Sequence, residues 1–465
     1  MSVAEKIADK ISHTRYEDLP PEAVRWAKVA ILDTLGVTVA GSREPLSQIV
    51  REVLSEEGGR PECTVLGLDI KTSTQNAAWA NGVLSHALDY DDISNTLGGH
   101  PSVPVLPPLL ALAESRAFSG KEFLLAYAVG FETECKIGRG VNFVHYDRGW
   151  HPTSTLGIFG AVAATAKILK LSVSDCSRAL AMAASMASGI KANFGTMTKP
   201  LHIGQAARNG LLATLLASKG FSASLEAFEA KQGFCNVYNG EGQYRLEVFT
   251  ERWGEPFDLV QPGVAIKQYP CCGSTHSAID ALLSLVRTQD LKPEDVVCVE
   301  AAIHPRRLVH VNRPAPKSGL EGKFSLQYCL ARALIERQVI LSHFRDDAIH
   351  EPQVRKTMEK IKVGPHAATE WKSTEHFGAE VSVELQNGAR IKAFQERAVG
   401  RGPEIPLPQS LLKAKFLDCW SQAFPRATGA ELIEKIEALE TLTDTRILFE
   451  SFSAAGQEKR ERKVR

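Results

Sequence analysis

The sequence lacks a charge excess of either sign, because its 54 basic and 54 acidic residues balance to a formal net charge of zero. Proteins whose main partner is nucleic acid or an anionic membrane usually carry a positive excess, so neither partner is expected. No apolar run reaches the ~18 residues that a membrane span needs. The nine cysteines are odd in number and scattered, apart from Cys271-Cys272, which excludes a disulfide framework and predicts a reducing compartment.

Several familiar signals are also missing. The first residues, MSVAEKIADKIS, mix acidic and basic side chains and resemble neither a signal nor a transit peptide, so a cytoplasmic location is expected. There is no phosphate-binding P-loop, no GxSxG elbow and no paired CxxC. Gly138-Arg139-Gly140 is not a nucleotide loop, because no strand precedes it and no third glycine follows.

Helical spacing dominates the first 266 residues. With 44% hydrophobic residues, the 465-residue chain is long enough for two or three domains. Apolar periodicity, prolines at helix starts and a cap at Ser174 predict helices at 22–39, 47–56, 74–88, 108–118, 121–137, 153–169, 174–188, 200–219 and 225–230. Almost no segment before residue 260 is typical of a strand, and the many Ala and Gly residues predict closely packed helices.

The pattern changes near Lys267. A strand is predicted at 296–303, helices at 325–336 and 352–360, and a hairpin at 380–394 around Asn387-Gly388. Helical spacing returns at 409–423 and 429–439. The fold class is therefore mostly α. The predicted domains are a helical domain of 1–266 with 400–450, an inserted α+β lid domain of 267–399, and a solvated tail of 451–465.

The stretch SHALDYDDISNTLGGHPS (85–102) concentrates groups that can carry chemistry, namely His86, Asp89, Asp91, Asp92 and His100. On a continued helix, the first, second and fourth of these would share one face. Acidic side chains at a helix C-terminus oppose the helix dipole, and such local conflicts are typical of functional sites. The alternative is a solvated acidic helix end with an ordinary surface histidine.

Three further places put a cation or an imidazole beside a predicted helix N-terminus. His151 lies in GWHPTSTLG, Lys199 and His202 lie in TKPLHIGQ, and Lys267 lies in IKQYPCCGSTH. Free backbone N–H groups and the positive end of the helix dipole bind carboxylates or phosphates there. Together with the Asp/His cluster, this pattern favours a small polyanionic substrate.

Other interpretations compete for the same residues. Cys271 and Cys272 could be catalytic, although unpaired cysteines are mostly small buried hydrophobes. The histidines and aspartates of 343–350 have helical spacing suited to a metal, but also suit a surface helix. The DDISN stretch at 91–95 loosely resembles the magnesium motif of terpenoid synthases, yet its last acid is missing and only 7% of the residues are aromatic.

Six segments taken in order resemble the MmgE/PrpD superfamily: HALDYDD, GHPSVPVLPPLLALAE, GWHPTSTLG, KPLHIGQAARNGLLA, YPCCGSTHSAIDAL and KFSLQYCLA. This superfamily holds 2-methylcitrate dehydratases, cis-aconitate decarboxylases and an iminodisuccinate epimerase. The resemblance implies a helical domain built from both chain ends, a smaller lid, a homodimer and a small polycarboxylate substrate. It implies that neither a metal nor an organic cofactor is needed. The WHPT stretch favours the decarboxylase branch.

The resemblance also implies a site at the domain interface, whose lining positions correspond to Asp89, His100, His151, Lys199 and Lys267. Two expected polar positions differ. Isoleucine (Ile93) stands where a threonine is expected, and His310 stands where a tyrosine is expected. The Asp89–His100 interval is one residue longer than in the decarboxylase branch. The resemblance thus implies a cofactor-free lyase with a cis-aconitate decarboxylase-like reaction. These departures leave two alternatives open: a 2-methylcitrate dehydratase-like or iminodisuccinate epimerase-like enzyme, and an inactive carboxylate-binding relative.

Roles follow from the chemistry, since all three reactions pass through carbanion-like character beside a carboxylate. His100 is predicted as general acid/base, Asp89 as its orienting partner and His151 as a second acid/base. Lys199 and Lys267 are predicted to anchor carboxylates, and His202 and His310 to contact substrate. The predicted homodimer would form through the Ala/Gly-rich helices at 153–169 and 174–188.

Overall fold

A computed structural model describes residues 1–366 and 377–452 of the chain. Helices make up 59% of the structure and the sheets are small, which confirms the mostly α fold class. The chain divides into two compact units, unit 1 of residues 1–266 and 409–465 and unit 2 of residues 267–408. Most of the predicted tail lies outside the described residues, but Ser451 and Phe452 are buried rather than solvated.

The α-helices follow one another along the chain as α1 Val3–His13, α2 Pro21–Gly41, α3 Pro45–Glu57, α4 Thr74–Ser85, α5 Ser102–Ser115, α6 Gly120–Val141, α7 Val144–Asp147, α8 Pro152–Thr155, α9 Gly157–Ile168, α10 Val173–Met186, α11 Thr198–Ala217, α12 Phe234–Asn239, α13 His276–Thr288, α14 Pro305–Val311, α15 Gly319–Gly322, α16 Leu326–Glu336, α17 Pro352–Met358, α18 Gln409–Ser421 and α19 Arg426–Glu437. Across the described residues, no helix is both long and apolar enough to cross a bilayer.

Two short-range predictions fail for identifiable reasons. The side chain that caps α10 belongs to Ser172, which accepts from the Asp175 backbone N–H, and not to Ser174. Ser172 stands three residues before Asp175, which is the spacing of a capping box, whereas Ser174 directly precedes that acid. The helix predicted at 225–230 is a series of turns, and the nearby helix is α12 instead.

Unit 1 packs α4, α5, α6, α9 and α11 against one another. Small residues allow this closeness: a Cβ added to Gly82 in α4 would lie 2.8 Å from the Cα of Gly204 in α11. Almost every residue of α9 is buried, and α10 buries its apolar face. The small residues that were expected to supply a dimer surface are therefore used inside the unit. This unit also holds a two-stranded antiparallel sheet of β1 (Cys63–Val65) and β2 (Ile70–Thr72).

Unit 2 contains a four-stranded sheet in the order β4-β3-β5-β6. Its strands are β3 (Val296–Ile303), β4 (Ile361–Pro365), β5 (Ala379–Leu385) and β6 (Arg390–Gln395). Strands β3 and β4 run parallel, and the other neighbours are antiparallel. The predicted hairpin is present, and Gly388 takes a φ of +80° in its turn. Helices α13 and α16 contribute to an apolar core that the sheet shares.

Candidate active site

The segment that follows α4 does not continue as a helix. Helix α4 ends at Ser85, and Asp89 has a φ of +53°. The prediction of a helix through residue 88, with His86, Asp89 and Asp92 on one face, is therefore wrong. A left-handed aspartate costs roughly 1–2 kcal/mol and breaks the helical hydrogen-bond pattern. Such strain is often found at functional sites, where the surrounding structure compensates for it.

The following loop is fixed at both ends by backbone hydrogen bonds. Ile93 pairs with Ala265, with N–H to oxygen distances of 2.8 and 2.9 Å, and Ser94 donates to the Gly99 carbonyl at 2.9 Å. The His100 N–H then donates to Thr153 Oγ1 at 3.1 Å. A Cβ on Gly99 would lie 2.6 Å from that same oxygen, so the close approach requires glycine. These contacts set the position of His100.

Asp91 is the carboxylate that joins the two histidines of this segment. His86 Nδ1 donates to Asp91 Oδ2 at 2.8 Å. His100 Nδ1 lies 3.0 Å from the same oxygen, although its direction falls outside the range of a well-formed hydrogen bond. Asp91 and His86 are both buried. A carboxylate beside Nδ1 favours the tautomer with the proton there, which leaves Nε2 of the ring as the acceptor.

The charges of this pair follow from burial and proximity. Burial lowers the pKa of His86 to about 4, in spite of the nearby Asp91, and keeps the ring neutral near pH 7. Burial alone would raise the pKa of Asp91, but His100 and His86 together hold it well below its ordinary value. Asp91 is therefore an ionised acceptor.

Asp89 faces a cation rather than serving only His100. Lys199 Nζ donates to Asp89 Oδ1 at 2.8 Å, whereas His100 Nε2 lies 3.6 Å from that oxygen. The second distance is too long for a hydrogen bond. The prediction that Asp89 orients His100 is therefore corrected: Asp91 is the closer carboxylate, and Asp89 pairs with Lys199.

His151 and His202 form the opposite side of the cluster. Their Nδ1 atoms lie 3.2 Å apart, so one of the two can donate to the other. The rings of His86 and His151 have centroids 5.7 Å apart, and Phe194 meets His151 edge-on at 4.8 Å. Burial lowers the pKa of His151 well below its ordinary value, and burial together with Lys199 lowers that of His202. Both rings are neutral near pH 7.

Asp92 differs from its neighbour Asp91 in what surrounds it. It accepts from the Ser102 N–H at 3.2 Å and from Ser102 Oγ at 2.5 Å, and Tyr127 Oη lies 2.5 Å from that hydroxyl. Burial raises the pKa of Asp92 well above its ordinary value, and the nearby acids Asp33 and Asp91 add to the rise. Asp92 is therefore a neutral acid that ties the loop to the start of α5.

The structure brings five of the predicted site residues into one cluster in unit 1: Asp89, His100, His151, Lys199 and His202. The other two, Lys267 and His310, belong to unit 2, where His310 lies in α14. Sequence reasoning gave no role to His86, Asp91 or Phe194. The first two were visible in the dense cluster at 85–102, but nothing in the sequence marks Phe194.

Among residues 1–366 and 377–452, only His86, Asp89 and His100 bring three potential metal-ligand atoms together, all within 4.8 Å of one another. The alternative metal set at 343–350 does not form such a group there. His343 is buried in unit 2, and Asp346 accepts from the Gly319 N–H at 2.8 Å.

Comparison with known proteins relates nearly the whole chain to one family. Residues 5–247 match the family model of the MmgE/PrpD N-terminal domain, and residues 269–441 match that of the MmgE/PrpD C-terminal domain. The chain is 33% identical to the cis-aconitate decarboxylase of Mus musculus over 96% of this chain and 92% of that protein. The Homo sapiens enzyme is also 33% identical, over 96% and 94%, and the Aspergillus terreus enzyme is 27% identical, over 96% and 95%. The chain therefore belongs to the MmgE/PrpD family.

Proposed function

We propose that the protein is a cofactor-independent lyase that decarboxylates cis-aconitate or a close tricarboxylate analogue. The observation that carries this proposal is the linked set Asp91–His100–Asp89–Lys199, a candidate proton donor between two carboxylates with a cation beside it. Relatives at 27–33% identity over nearly the full length are named cis-aconitate decarboxylases, which supports the reaction type.

Substrate binding is assigned to the cations. An ammonium group has three N–H donors, and the hydrogen bond to Asp89 uses one of them on Lys199. The remaining donors can reach a substrate carboxylate, for which a charge-assisted hydrogen bond contributes about 1.5–3 kcal/mol. We assign Lys267 and His310 as further carboxylate contacts because of the family positions that they occupy. His202, one helical turn after Lys199, is assigned to orient His151.

The bond changes are those of an allylic decarboxylation. The bond between the methylene carbon of cis-aconitate and its carboxylate breaks, and CO₂ leaves. The freed electron pair forms a new double bond to the central carbon, and the former double-bond pair moves to the carbon beside the far carboxylate. The doubly protonated form of His100 delivers its Nε2 proton to that carbon and retains the proton on Nδ1, beside Asp91. Fixed positive charge near the far carboxylate stabilises the developing carbanion, which is where preorganised electrostatics contribute most.

Positioning of the proton donor is assigned to Asp91. Its Oδ2 lies 3.0 Å from His100 Nδ1, which leaves the Nε2 edge of the ring for the substrate. General acid catalysis of this kind contributes about 10²–10⁴-fold in rate. His151, neutral and buried, is assigned as the second acid/base group of the pocket.

The test is product analysis by NMR. The purified chain is incubated with cis-aconitate, 2-methylcitrate and citrate in the presence of a chelator, with His100→Gln as a matched variant. Consumption of cis-aconitate with release of CO₂, abolished in His100→Gln, is expected. If the chain turns over 2-methylcitrate alone, the proposed reaction is dehydration instead of decarboxylation. If it turns over no polycarboxylate in a wider panel, the lyase proposal is refuted.

A second candidate is a non-catalytic carboxylate-binding protein. It is favoured by Ile93, an aliphatic residue at a position where the family resemblance leads us to expect threonine, and whose backbone pairs with Ala265. His310 likewise replaces an expected tyrosine. Binding of cis-aconitate by calorimetry without any turnover would support this candidate. A substantial kcat that His100→Gln abolishes would exclude it.

We also propose a homodimer in the cytoplasm, formed through unit 1. Helix α9 is almost entirely buried and α10 buries its apolar face within the unit, so their small apolar residues do not supply the contact surface. Large apolar side chains are exposed instead on the segment that leads into α11, at Ile190, Phe194, Met197 and Leu201. Clustered exposed apolar groups are typical of association surfaces. Light scattering should give about twice the 50.7 kDa chain mass, and a Met197→Glu variant should shift the mass toward the monomer.

A further inference from the structure

The cluster in unit 1 has the donor set and the supporting contacts of a transition-metal site. His86, Asp89 and His100 each present a ligand atom, and these atoms lie within 4.8 Å of one another. Two imidazoles and one carboxylate form a common ligand set for Zn²⁺ in proteins. Around a tetrahedral zinc ion with bonds of about 2.0–2.2 Å, neighbouring ligand atoms are roughly 3.4 Å apart. Side-chain rotations that bring the ligand atoms roughly 1.4 Å closer together would therefore complete the site.

The carboxylate of Asp91 lies beside Nδ1 of both ligand histidines, on the side away from the proposed ion. Asp91 Oδ2 accepts from His86 Nδ1 at 2.8 Å and lies 3.0 Å from His100 Nδ1. Ligating histidines almost always direct their second ring nitrogen to a carboxylate or carbonyl, because this fixes the tautomer and strengthens the ligand. The two rings meet edge-on with centroids 4.7 Å apart. One buried acid thus lies at Nδ1 of both imidazoles, hydrogen-bonded to His86 and in close contact with His100.

An independent observation concerns His86 Nε2. This atom is buried, and among the described residues it has no hydrogen-bond partner. A buried polar atom without a partner is costly, and such an atom in a native structure calls for a specific explanation. A bound cation would satisfy it. The proposed reaction assigns no role to this nitrogen.

Lys199 opposes a cation at this position. Its ammonium group lies 2.8 Å from Asp89 Oδ1, so a metal ion must share or displace it. Two positive charges a few ångströms apart repel by several kcal/mol at the effective dielectric of a protein pocket. We propose that His86, Asp89 and His100 form a latent site for a divalent transition-metal ion such as Zn²⁺, and that Lys199 limits its affinity. The ion is an inhibitor, not a cofactor.

Substitutions of Lys199 should change the Zn²⁺ affinity in a direction that depends on whether they keep the positive charge. In Lys199→Met the competing charge is gone while the side-chain length is kept, so Zn²⁺ affinity should rise at least about tenfold. Lys199→Arg keeps the charge and is the matched control, with affinity near that of the wild type. His86→Gln should weaken binding by more than about 100-fold. Asp91→Asn should weaken it by about 10–100-fold, as loss of an outer partner does.

The experiment is calorimetric titration of the chelator-stripped full chain with Zn²⁺, and with Co²⁺, whose visible absorption reports a tetrahedral nitrogen and oxygen set. One-to-one binding that tightens in Lys199→Met and disappears in His86→Gln supports the site, with His350→Gln as an exposed histidine control. A misfolded variant cannot mimic a gain in affinity. The proposal is overturned by absence of one-to-one binding in both wild type and Lys199→Met, or by binding that His86→Gln leaves unchanged.

Inhibition is a separate consequence that rests on the proposed function. Zn²⁺ should compete with cis-aconitate, because it withdraws Asp89 and His100 from the substrate. Metal binding is measured without substrate, and decarboxylation is measured in chelator. Failure of the metal site would therefore leave the activity intact, and failure of the activity would leave the titration result intact.

Discussion

Replacement of Asp91 by asparagine tests whether Asp91 orients His100, the proposed proton donor, or is only a buried acid. The carboxylate accepts from His86 at 2.8 Å and contacts His100 at 3.0 Å through one oxygen. The amide keeps the shape but loses the charge, which weakens each contact by about 1 kcal/mol. Its NH₂ group would also occupy the place of Oδ1, which has no hydrogen-bond partner among the described residues. An unsatisfied buried donor costs a further 1–3 kcal/mol or so.

The expected loss of unfolding free energy in Asp91→Asn is therefore about 3–5 kcal/mol, measured by urea denaturation. The kcat should fall by about 10²–10⁴, because the proton on His100 Nδ1 is no longer held and Nε2 no longer faces the substrate in one tautomer. Imidazole nitrogen NMR reads that tautomer directly.

Asp92→Asn is the matched control for this prediction. Asp92 is buried beside Asp91, but its raised pKa makes it neutral, and an amide resembles a protonated acid. Its kcat should stay within about tenfold of the wild type. If Asp91→Asn retains kcat within about threefold, or if Asp92→Asn is equally damaging, the assignment of Asp91 as the orienting group is refuted.

Four further outcomes are expected. Lys199→Met should raise KM about 10- to 150-fold with a much smaller effect on kcat, because it removes a charged hydrogen bond of about 1.5–3 kcal/mol, and a fall in kcat alone would contradict the anchor role. His100→Gln should lower kcat about 10²–10⁴-fold at nearly constant KM, and retained turnover would move the acid/base role to His151. Burial lowers the pKa of His145 to about 4 against an unfolded value near 6.5, so this residue alone should contribute a loss of about 2 kcal/mol of stability between pH 7 and pH 5, and His145→Gln should lose about 2 kcal/mol less than the wild type over that range. Gly99→Ala should lower stability by about 1–3 kcal/mol, and an unchanged melting temperature would show that the contact with Thr153 relaxes freely.

Regular, periodic segments of the fold were predictable from the sequence. The helix predicted at 22–39 is α2, Pro21–Gly41, because its apolar spacing and its proline at the first position agree. The hairpin turn at Asn387-Gly388 is present because glycine readily takes the positive φ that the turn needs. The edge strand β4, Ile361–Pro365, was missed because five residues with one buried position carry little alternation.

Composition predicted where a candidate site would lie, but not its geometry. The structure gathers His86, Asp91 and His100 from the dense Asp/His stretch at 85–102 into one cluster, yet the left-handed Asp89 has no sequence signal and removes the expected helical face. Which carboxylate lies closer to His100 depends on that backbone turn, so Asp91 takes the position that was predicted for Asp89. Contacts such as His151 with His202, 51 residues apart, depend on tertiary packing that local patterns do not encode.

Decarboxylation is tested most directly by NMR of cis-aconitate incubated with the wild-type chain in chelator. We expect loss of CO₂ and appearance of the rearranged unsaturated dicarboxylate, with deuterium from D₂O on the carbon beside the far carboxylate. We expect no such product with His100→Gln. Unchanged cis-aconitate after prolonged incubation, or equal product from both proteins, would contradict this expectation.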